Sequence, residues 1–340
     1  MTGLADPHNF GRCVEKTSLA GVAYFSKPRP IFWEWFFFGK AGPLAKELAP
    51  ELDFFSLETL SDDLSKSGLS LSLEAASIAP SSSSAFAFGQ TLAYCYAFGI
   101  QDVHSENILN TQEGPRIIDA EQVFSDLKLP EETLLLPFKN TSYIRSGIGR
   151  ILPESFARSE TGIKEILRGY FFCLELLAQK QNLLQSIFQN FSDEMRRTPI
   201  RVILRDTRSY QNFTKESFKT PLLPEEKIQL ERGEIPYFFK FLDDDSLYFH
   251  ASSDGEIAKV IDHGDLDREV KRAANNPMAL LNSFRLLNEL APTGALAVVR
   301  KLNPNQQNFI FEEPKFRLSA NAKKIDLFYR DCSFTTIPRN

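Results

Sequence analysis

The sequence predicts an α+β fold in two lobes, a small strand-rich N-terminal lobe and a larger helical C-terminal lobe, with a cleft between them. Short segments with strand-like composition come early in the chain, and long segments with helical periodicity come later. A polar segment, PSSSS at residues 80–84, separates the strand-like segments from the helical ones. We therefore predict one lobe over residues 1–84 and the other over residues 85–340.

The first lobe begins with a predicted pair of strands. Residues 12–16 and 21–26 have strand-like composition, and residues 17–20 supply the turn between them. Pro28 and Pro30 end the second strand, because a proline nitrogen has no hydrogen to donate to a strand ladder.

A helical segment and a further strand complete this lobe. The segment IFWEWFFFGKAGPLAKELAP is predicted to be helical, with Phe32, Trp35 and Phe36 on one face. Gly39 and Gly42 interrupt it. The segment GLSLSLEAAS alternates leucine with serine, which is typical of a half-buried strand.

Helix dominates the second lobe. A serine of residues 80–84 is expected to cap a helix over residues 85–99, which ends at a glycine. The segment TGIKEILRGYFFCLELLAQKQNLLQSIFQNF repeats apolar residues at the helical period and predicts an amphipathic helix. The segment EEPKFRLSANAKKIDLFYRD mixes signals and predicts no single element.

Composition narrows the functional classes. The net charge of −5 argues against bulk attraction to nucleic acid. The cysteines are widely spaced, and no histidine pairs with a cysteine at zinc spacing, so we expect no zinc. The most apolar window, PIFWEWFFFG, is too short to span a bilayer, and the N-terminus lacks a secretory signal. We expect no membrane span and a cytoplasmic location, with delivery as an effector by a signal-independent route left open.

The segment DVHSENILNTQEGPRIIDAE, at residues 102–121, carries the side chains that phosphoryl transfer from ATP requires. That reaction needs a carboxylate near the attacking hydroxyl group, oxygen ligands for Mg²⁺ and a cation on the phosphates. Asp102 can be the carboxylate. Asn107 and Asp119 can be the metal ligands, because Mg²⁺ prefers oxygen ligands and needs only one or two carboxylates. Glu121 is an additional candidate for binding the cofactor.

A predicted hairpin brings these residues together. Its turn contains Gly114 and Pro115, and its return strand would place Asp119 near Asn107. A strand-rich lobe, a hinge and then this segment together suit a kinase-like bilobal fold.

The pattern D-x-H-x-x-N followed by I-D-x-E resembles the catalytic and metal-binding loops of the dehydratase domain of class II lanthipeptide synthetases, whose fold is similar to that of lipid kinases. Kinases of the aminoglycoside-phosphotransferase type have a similar H-x-x-N and D-x-E run. Further stretches resemble the dehydratase family in the right order, namely ADPHNFGRCV, YFSKPRP, RVILRDTRSY and GEIPYF. The resemblance covers roughly residues 5–265.

This resemblance implies an enzyme that uses ATP and Mg²⁺ to phosphorylate Ser or Thr of a peptide or protein. Lys27 matches the family's phosphate-contacting lysine. Asp6 and His8 match positions that the family uses in the phosphorylation step.

The resemblance also implies that the enzyme then eliminates the phosphate, which leaves dehydroalanine or dehydrobutyrine. Arg201 and Thr207 match the arginine and threonine linked to that step. An arginine can hold a phosphate bidentately, and Lys27 can contribute a point charge to both steps. His104 lies two residues from Asp102 and can transfer a proton near neutral pH.

Two other functions remain open. One is a kinase without elimination activity, which acts on a protein, a lipid or a small molecule. It retains Asp102, Asn107 and Asp119 but does not require Arg201 or Thr207. The other is a pseudoenzyme that binds nucleotide without turnover. Arg201 and Thr207 favour the dehydratase. Full synthetases also carry a zinc-dependent cyclase, for which this chain has no ligands, so we expect a stand-alone dehydratase that forms no rings.

Overall fold

A computed structural model describes residues 7–336, apart from residues 53, 55–56, 61–63, 65–66, 74–78, 113, 206, 212–220, 304–307, 315, 322–323 and 330–331. The helices are α1 Phe32–Phe38, α2 Pro43–Leu48, α3 Ser82–Ala97, α4 Gly147–Ile151, α5 Glu154–Ala157, α6 Glu160–Gln179, α7 Gln181–Asn190, α8 Ser192–Arg197, α9 Thr207–Gln211, α10 Pro224–Glu231, α11 Asp267–Arg272, α12 Pro277–Leu280 and α13 Ala291–Leu302. The strands are β1 Glu15–Leu19, β2 Val22–Lys27, β3 Thr59–Leu60, β4 Gly68–Leu71, β5 Ile108–Thr111, β6 Gly114–Ile117, β7 Ile200–Val202, β8 Phe238–Lys240, β9 Tyr248–His250, β10 Ile257–Lys259, β11 Phe309–Glu313, β12 Phe316–Ala320, β13 Ile325–Tyr329 and β14 Cys332–Thr336. The chain is therefore a mixed α+β protein, as predicted.

The strands form four sheets in the described part of the chain. Their orders are β1-β2-β4-β3, β10-β9-β8-β7, β11-β12-β13-β14 and the hairpin β5-β6. Every pairing between these strands is antiparallel.

The first hairpin turns later than the sequence predicted. Leu19 pairs with Val22, so the turn consists of Ala20 and Gly21 rather than residues 17–20. Both turn residues have positive φ, 50° and 80°. A two-residue turn of this kind matches the twist of the flanking strands, and glycine adopts it without strain. The second strand runs from Val22 to Lys27, one residue later than the predicted range of 21–26.

Strand β4 forms where it was predicted, but its more buried face carries the small residues. Gly68 and Ser70 are buried, whereas Leu69 and Leu71 are half-buried. A Cβ atom on Gly68 would lie 2.2 Å from Cδ1 of Ile31. The approach of the chain leading into α1 therefore leaves room only for small side chains on this face.

The predicted cap is confirmed, and the helix predicted over residues 85–99 is α3, Ser82–Ala97. The single amphipathic helix predicted over residues 161–191 is wrong in one respect, because the chain divides it at Lys180 into α6 and α7. Ser81 caps α3, since its hydroxyl accepts a hydrogen bond from the Ser84 amide at 3.1 Å. Helices α3 and α6 cross so closely that a Cβ atom on Gly89 would lie 2.0 Å from the carbonyl oxygen of Ile166. A Cβ atom on Gly169 would lie 1.9 Å from that of Phe86.

The prediction of a helical second lobe was incomplete, because residues 200–336 also contain two four-stranded sheets. The C-terminal sheet includes the segment for which the sequence predicted no single element. Its strands alternate buried and exposed residues, as in β11, where Phe309 and Phe311 are buried and Ile310 is exposed. Phe328 of β13 is an apolar residue on the exposed face, and it obscured this period of two in the sequence.

The largest apolar cluster runs across the predicted lobe boundary at residue 84. Phe37 of α1 contacts Phe98 and Phe124, with ring centroids 5.3 and 5.5 Å apart. Phe36 contacts Phe188 of α7. Helix α1 is thus packed into the core of the second part, while the two-lobed kinase-like arrangement stays a prediction. Among the described helices, none has both the length and the apolar character that crossing a bilayer requires.

Candidate functional site

A cleft of about 1330 Å³ is lined by residues of the first sheet, of the β5–β6 region and of β7. Every predicted site residue that the structure describes lines it, namely His8, Lys27, Asp102, His104, Asn107, Asp119, Glu121, Arg201 and Thr207. Asp6, also predicted from the sequence, lies outside the described residues.

The predicted hairpin is present and brings the candidate metal ligands close in the fold. Its turn comes earlier than predicted, because Gly114 and Pro115 lie in β6, where Gly114 pairs with Thr111. Ile108 of β5 pairs with Ile117 of β6. One step further, the Ile118 amide donates to the Asn107 carbonyl oxygen at 3.0 Å. Asp119 therefore leaves the hairpin beside Asn107, as the spacing predicted.

The backbone at Asp102 is strained. Its φ of 62° lies in the left-handed region, which costs a non-glycine residue about 1–3 kcal/mol. The Asn107 side chain donates to the Asp102 carbonyl oxygen at 2.8 Å, and the Val103 amide donates to Thr133. These bonds hold Asp102 in the cleft in a conformation that it would not otherwise adopt.

Asp102 and His104 face each other. His104 Nδ1 accepts from the Glu106 amide at 3.2 Å, so a neutral ring carries its proton on Nε2, which lies 3.6 Å from Oδ1 of Asp102. Burial raises the pKa of Asp102 to about 6, against the opposing effects of His104 and Arg201. The Asp102 carboxyl thus titrates within the range in which a general base works.

Lys27 is held by a partner that the sequence analysis missed. Its Nζ lies 3.0 Å from Oε1 of Glu34 and donates to the Ile118 carbonyl oxygen at 2.6 Å. Lys27 is 5% exposed and Glu34 is 1% exposed. A lone carboxylate in the apolar window PIFWEWFFFG was the available signal, because buried charges require a partner.

Arg29 is a second residue that the sequence analysis missed. Its guanidinium group bridges Glu34 at 2.6 Å, Asp119 at 2.7 Å and Glu121 at 3.1 Å. Burial raises the pKa of Asp119, but the charges of Arg29 and Lys27 outweigh burial and hold that pKa below its usual value. Asp119 is therefore a carboxylate at neutral pH.

Glu121 lies between two guanidinium groups. Its Oε1 lies 3.1 Å from Nε of Arg29 and 3.3 Å from Nη1 of Arg201, and its Oε2 accepts from the Tyr237 hydroxyl at 2.6 Å. These contacts are with cations and a hydroxyl group of the protein, whereas the sequence predicted a contact with the cofactor. That cofactor contact stays a prediction.

Arg201 reaches the cleft from β7. Its amide donates to the Glu121 carbonyl oxygen at 3.0 Å, so the backbone links β7 to the end of the metal-binding segment. Its guanidinium carbon lies 5.1 Å from the centroid of the Tyr237 ring. Thr207 is half-buried at the start of α9, also in the cleft lining. Tyr237 was not predicted as a site residue, although it belongs to the quoted GEIPYF stretch.

His8 belongs to an N-terminal loop that packs on the same stretch. Its Nδ1 lies 2.7 Å from the Ile235 carbonyl oxygen, and the Ile235 amide donates to Pro7 at 3.0 Å. The His8 ring centroid lies 5.5 Å from that of Tyr237. These contacts bring the N-terminal loop to the wall of the cleft that carries Arg201.

The side-chain oxygen atoms at the hairpin suit Mg²⁺ better than a metal ion whose ligands must all come from the protein. The Asp119 side chain is 32% exposed, and Asn107 supplies a neutral amide oxygen. Mg²⁺ keeps several waters, so one carboxylate and one amide oxygen are sufficient protein ligands. Over the described residues, no group of three or more histidine, cysteine, aspartate or glutamate side chains has the geometry to hold a metal ion.

Comparison with known protein families finds a match to part of the chain. Residues 1–162 match the family described as a domain of unknown function, DUF4135. The match includes Lys27 and the segment from Asp102 to Glu121, and it ends before Arg201. A search of curated proteins finds no match to the chain.

Proposed function

We propose that this protein is a dehydratase similar to those of class II lanthipeptide synthetases, dependent on ATP and Mg²⁺. It phosphorylates Ser or Thr of a peptide or protein and then eliminates the phosphate, which leaves dehydroalanine or dehydrobutyrine. The observation that carries the proposal is the convergence of Lys27, Asp102, Asp119 and Arg201 on one cleft from distant parts of the chain. Residues assigned to transfer and residues assigned to elimination line the same cleft, which supports a two-step reaction at one site.

The first step is phosphoryl transfer. Bound Mg²⁺ would neutralise charge on the phosphates, held by Asp119 and Asn107. Lys27 binds a phosphate, with its ammonium group oriented by Glu34, as the paired lysine of protein kinases is oriented by a glutamate. Asp102 accepts the proton of the Ser or Thr hydroxyl group while that oxygen bonds to the γ-phosphorus and ADP leaves.

The second step is elimination. A base removes the Cα proton, the electrons form the Cα–Cβ double bond, and the Cβ–O bond breaks to release phosphate. His104 is the candidate base, because its ring faces the cleft beside Asp102. Arg201 stabilises the charge of the departing phosphate, and Thr207 donates a hydrogen bond to it.

The second candidate is a kinase that stops after the first step. It requires the same lysine, carboxylates and asparagine but has no use for Arg201 or Thr207. The position of Arg201 in the cleft, in contact with Glu121 at 3.3 Å, favours the dehydratase. A nucleotide-binding protein without activity is disfavoured by the presence of Asp102, Asn107 and Asp119 together in the cleft lining, since buried acidic groups are costly to retain.

The test is intact-mass spectrometry of Ser- and Thr-containing peptides incubated with the protein, ATP and Mg²⁺. A dehydratase converts the peptide to a product lighter by one water, whereas a kinase accumulates the phosphorylated peptide. ATP with Mg²⁺ should also raise the melting temperature, and Asp119→Asn should abolish that increase. The enzymatic proposals are wrong if neither nucleotide nor metal shifts the melting temperature of the wild-type chain.

A further inference from the structure

We propose that Tyr237 is a positioning residue that holds Arg201 in the orientation for binding a phosphate group. The inference rests on the proposed function, in which Arg201 takes the phosphate of the phosphorylated intermediate. Tyr237 acts on Arg201 by two separate contacts, one through its ring and one through its hydroxyl group.

The ring contact is direct. The guanidinium carbon of Arg201 lies 5.1 Å from the ring centroid of Tyr237, within the range of a cation–π interaction. The side chain of Arg201 is 15% exposed, and Tyr237 is 6% exposed. Because both residues are largely buried, water screens the interaction little. A guanidinium group over an aromatic face keeps its N–H groups at its own edge, where phosphate oxygens can accept them.

The hydroxyl contact acts through Glu121. Tyr237 donates to Oε2 of Glu121 at 2.6 Å, while Oε1 of the same carboxylate lies 3.3 Å from Nη1 of Arg201. Fixing one oxygen of a carboxylate fixes the direction of the other. The hydrogen bond from the Tyr237 hydroxyl group therefore helps to fix the position of Glu121 Oε1 relative to Nη1 of Arg201.

Tyr237 is itself held independently of Arg201. Its amide donates to Oε1 of Gln229 at 2.8 Å, and Gln229 is 1% exposed. The next residues form β8, which pairs with β7 so that Phe239 lies opposite Arg201. Tyr237 directly precedes β8 and Arg201 lies on its neighbour β7, so the pairing of the two strands fixes the separation of their backbones.

The chain offers a matched control in Tyr248. This tyrosine is also buried in the same sheet, donates to a carboxylate, Asp244, at 2.6 Å, and has the ammonium group of Lys259 at 5.5 Å from its ring centroid. It does not appear in the lining of the cleft. Tyr248 packs on Phe239, which also contacts Tyr237, so its variants reproduce the loss of packing in that cluster without removing a contact to Arg201 or Glu121.

The experiment is isothermal titration of the full-length chain with inorganic phosphate, for the wild type and four variants. Tyr237→Leu removes both contacts and should weaken phosphate affinity about tenfold, as expected for a desolvated cation–π contact. Tyr237→Phe keeps the ring and should weaken it only about threefold. Tyr248→Leu and Tyr248→Phe should leave phosphate affinity unchanged.

Four outcomes overturn the inference. The wild type does not bind inorganic phosphate, Tyr237→Leu binds it as tightly as the wild type, Tyr237→Phe loses as much affinity as Tyr237→Leu, or Tyr248→Leu loses as much as Tyr237→Leu. Failure of the proposed function is distinguishable, because a chain that binds phosphate through Arg201 and Tyr237 but never dehydrates a peptide would contradict only the reaction.

Discussion

The ammonium group of Lys27 lies 3.0 Å from Oε1 of Glu34, and both side chains are almost completely buried. Lys27 ends β2 and Glu34 lies in α1, so the ion pair joins the first sheet to a helix that packs in the main core. Arg29 shares the same carboxylate at 2.6 Å. Glu34 thus balances two cations on the wall of the cleft.

Glu34→Gln should destabilise the chain strongly. The substitution removes the carboxylate paired with Lys27 and one of the three carboxylates around Arg29. Removing one partner of a buried ion pair costs about 3–5 kcal/mol. Urea unfolding measures the free energy of unfolding directly. The matched control is Glu58→Gln, because Glu58 pairs with Lys40 at 3.4 Å on the surface and its loss should cost less than about 1 kcal/mol. Equal effects of the two substitutions would contradict the role of Glu34.

Asp102→Asn should stabilise the chain in a pH-dependent manner. The folded-state pKa of Asp102 is raised to about 6, so the wild-type chain loses stability as the pH rises through that value. Asparagine has no such titration. The gain in unfolding free energy of the variant should therefore be about 2 kcal/mol larger at pH 8 than at pH 4.5. Urea unfolding at both pH values checks this.

The control for that experiment is Asp193→Asn, whose carboxylate is 72% exposed. Its substitution should change the free energy of unfolding by less than about 1 kcal/mol at either pH, because the ion pair that it loses is exposed. A gain for Asp102→Asn that does not depend on pH would show that Asp102 is not protonated near pH 6 in the folded chain.

Arg201→Ala should separate the two steps of the proposed reaction. The variant lacks the cation that stabilises the departing phosphate, while Lys27 and Asp119 remain, so phosphorylated peptide should accumulate. Intact-mass spectrometry follows the ratio of phosphorylated to dehydrated product over time. Arg196→Ala is the control, since Arg196 is exposed and pairs with Asp243. Unchanged dehydration by Arg201→Ala would remove Arg201 from the elimination step.

Gly169→Ala should destabilise the crossing of α3 and α6. The added Cβ atom would lie 1.9 Å from the Phe86 carbonyl oxygen, so the helices must separate, and overpacking of this kind costs about 1–3 kcal/mol or more. Thermal unfolding should show a lower melting temperature. Ser186→Ala on the exposed face of α7 serves as a control and should change the melting temperature little. A neutral Gly169→Ala would mean that the helices are not in backbone contact.

Several local features followed from the sequence alone. The Ser81 cap, the break between α1 and α2, the period of α6 and the hairpin between Asn107 and Asp119 were all predicted, because each depends on residues close together in the chain. The turn of the first hairpin was predicted slightly too early in the chain. The turn at Ala20 and Gly21 came later than predicted, since the decisive signal was positive φ at both residues.

The C-terminal sheet and the ion-pair network were not predicted. Strands such as β11 and β12 are stabilised by their neighbours and by burial of one face, which are absent from any single segment. Arg29 touches carboxylates on α1 and beyond β6, and only the folded chain brings these together. The sequence showed the charges but not which of them neutralise each other.

The sequence by itself determined which chemical groups are available and in what order, since motif spacing and turn residues are properties of the covalent chain. Only the tertiary structure decided that Glu34 pairs with Lys27 and that Arg29 pairs with Asp119. It also decided that the Tyr237 ring packs against the guanidinium group of Arg201. The physical reason is that a charge is tolerated in a low-dielectric interior only beside a partner, and the choice of partner depends on distances that arise when sheets and helices pack.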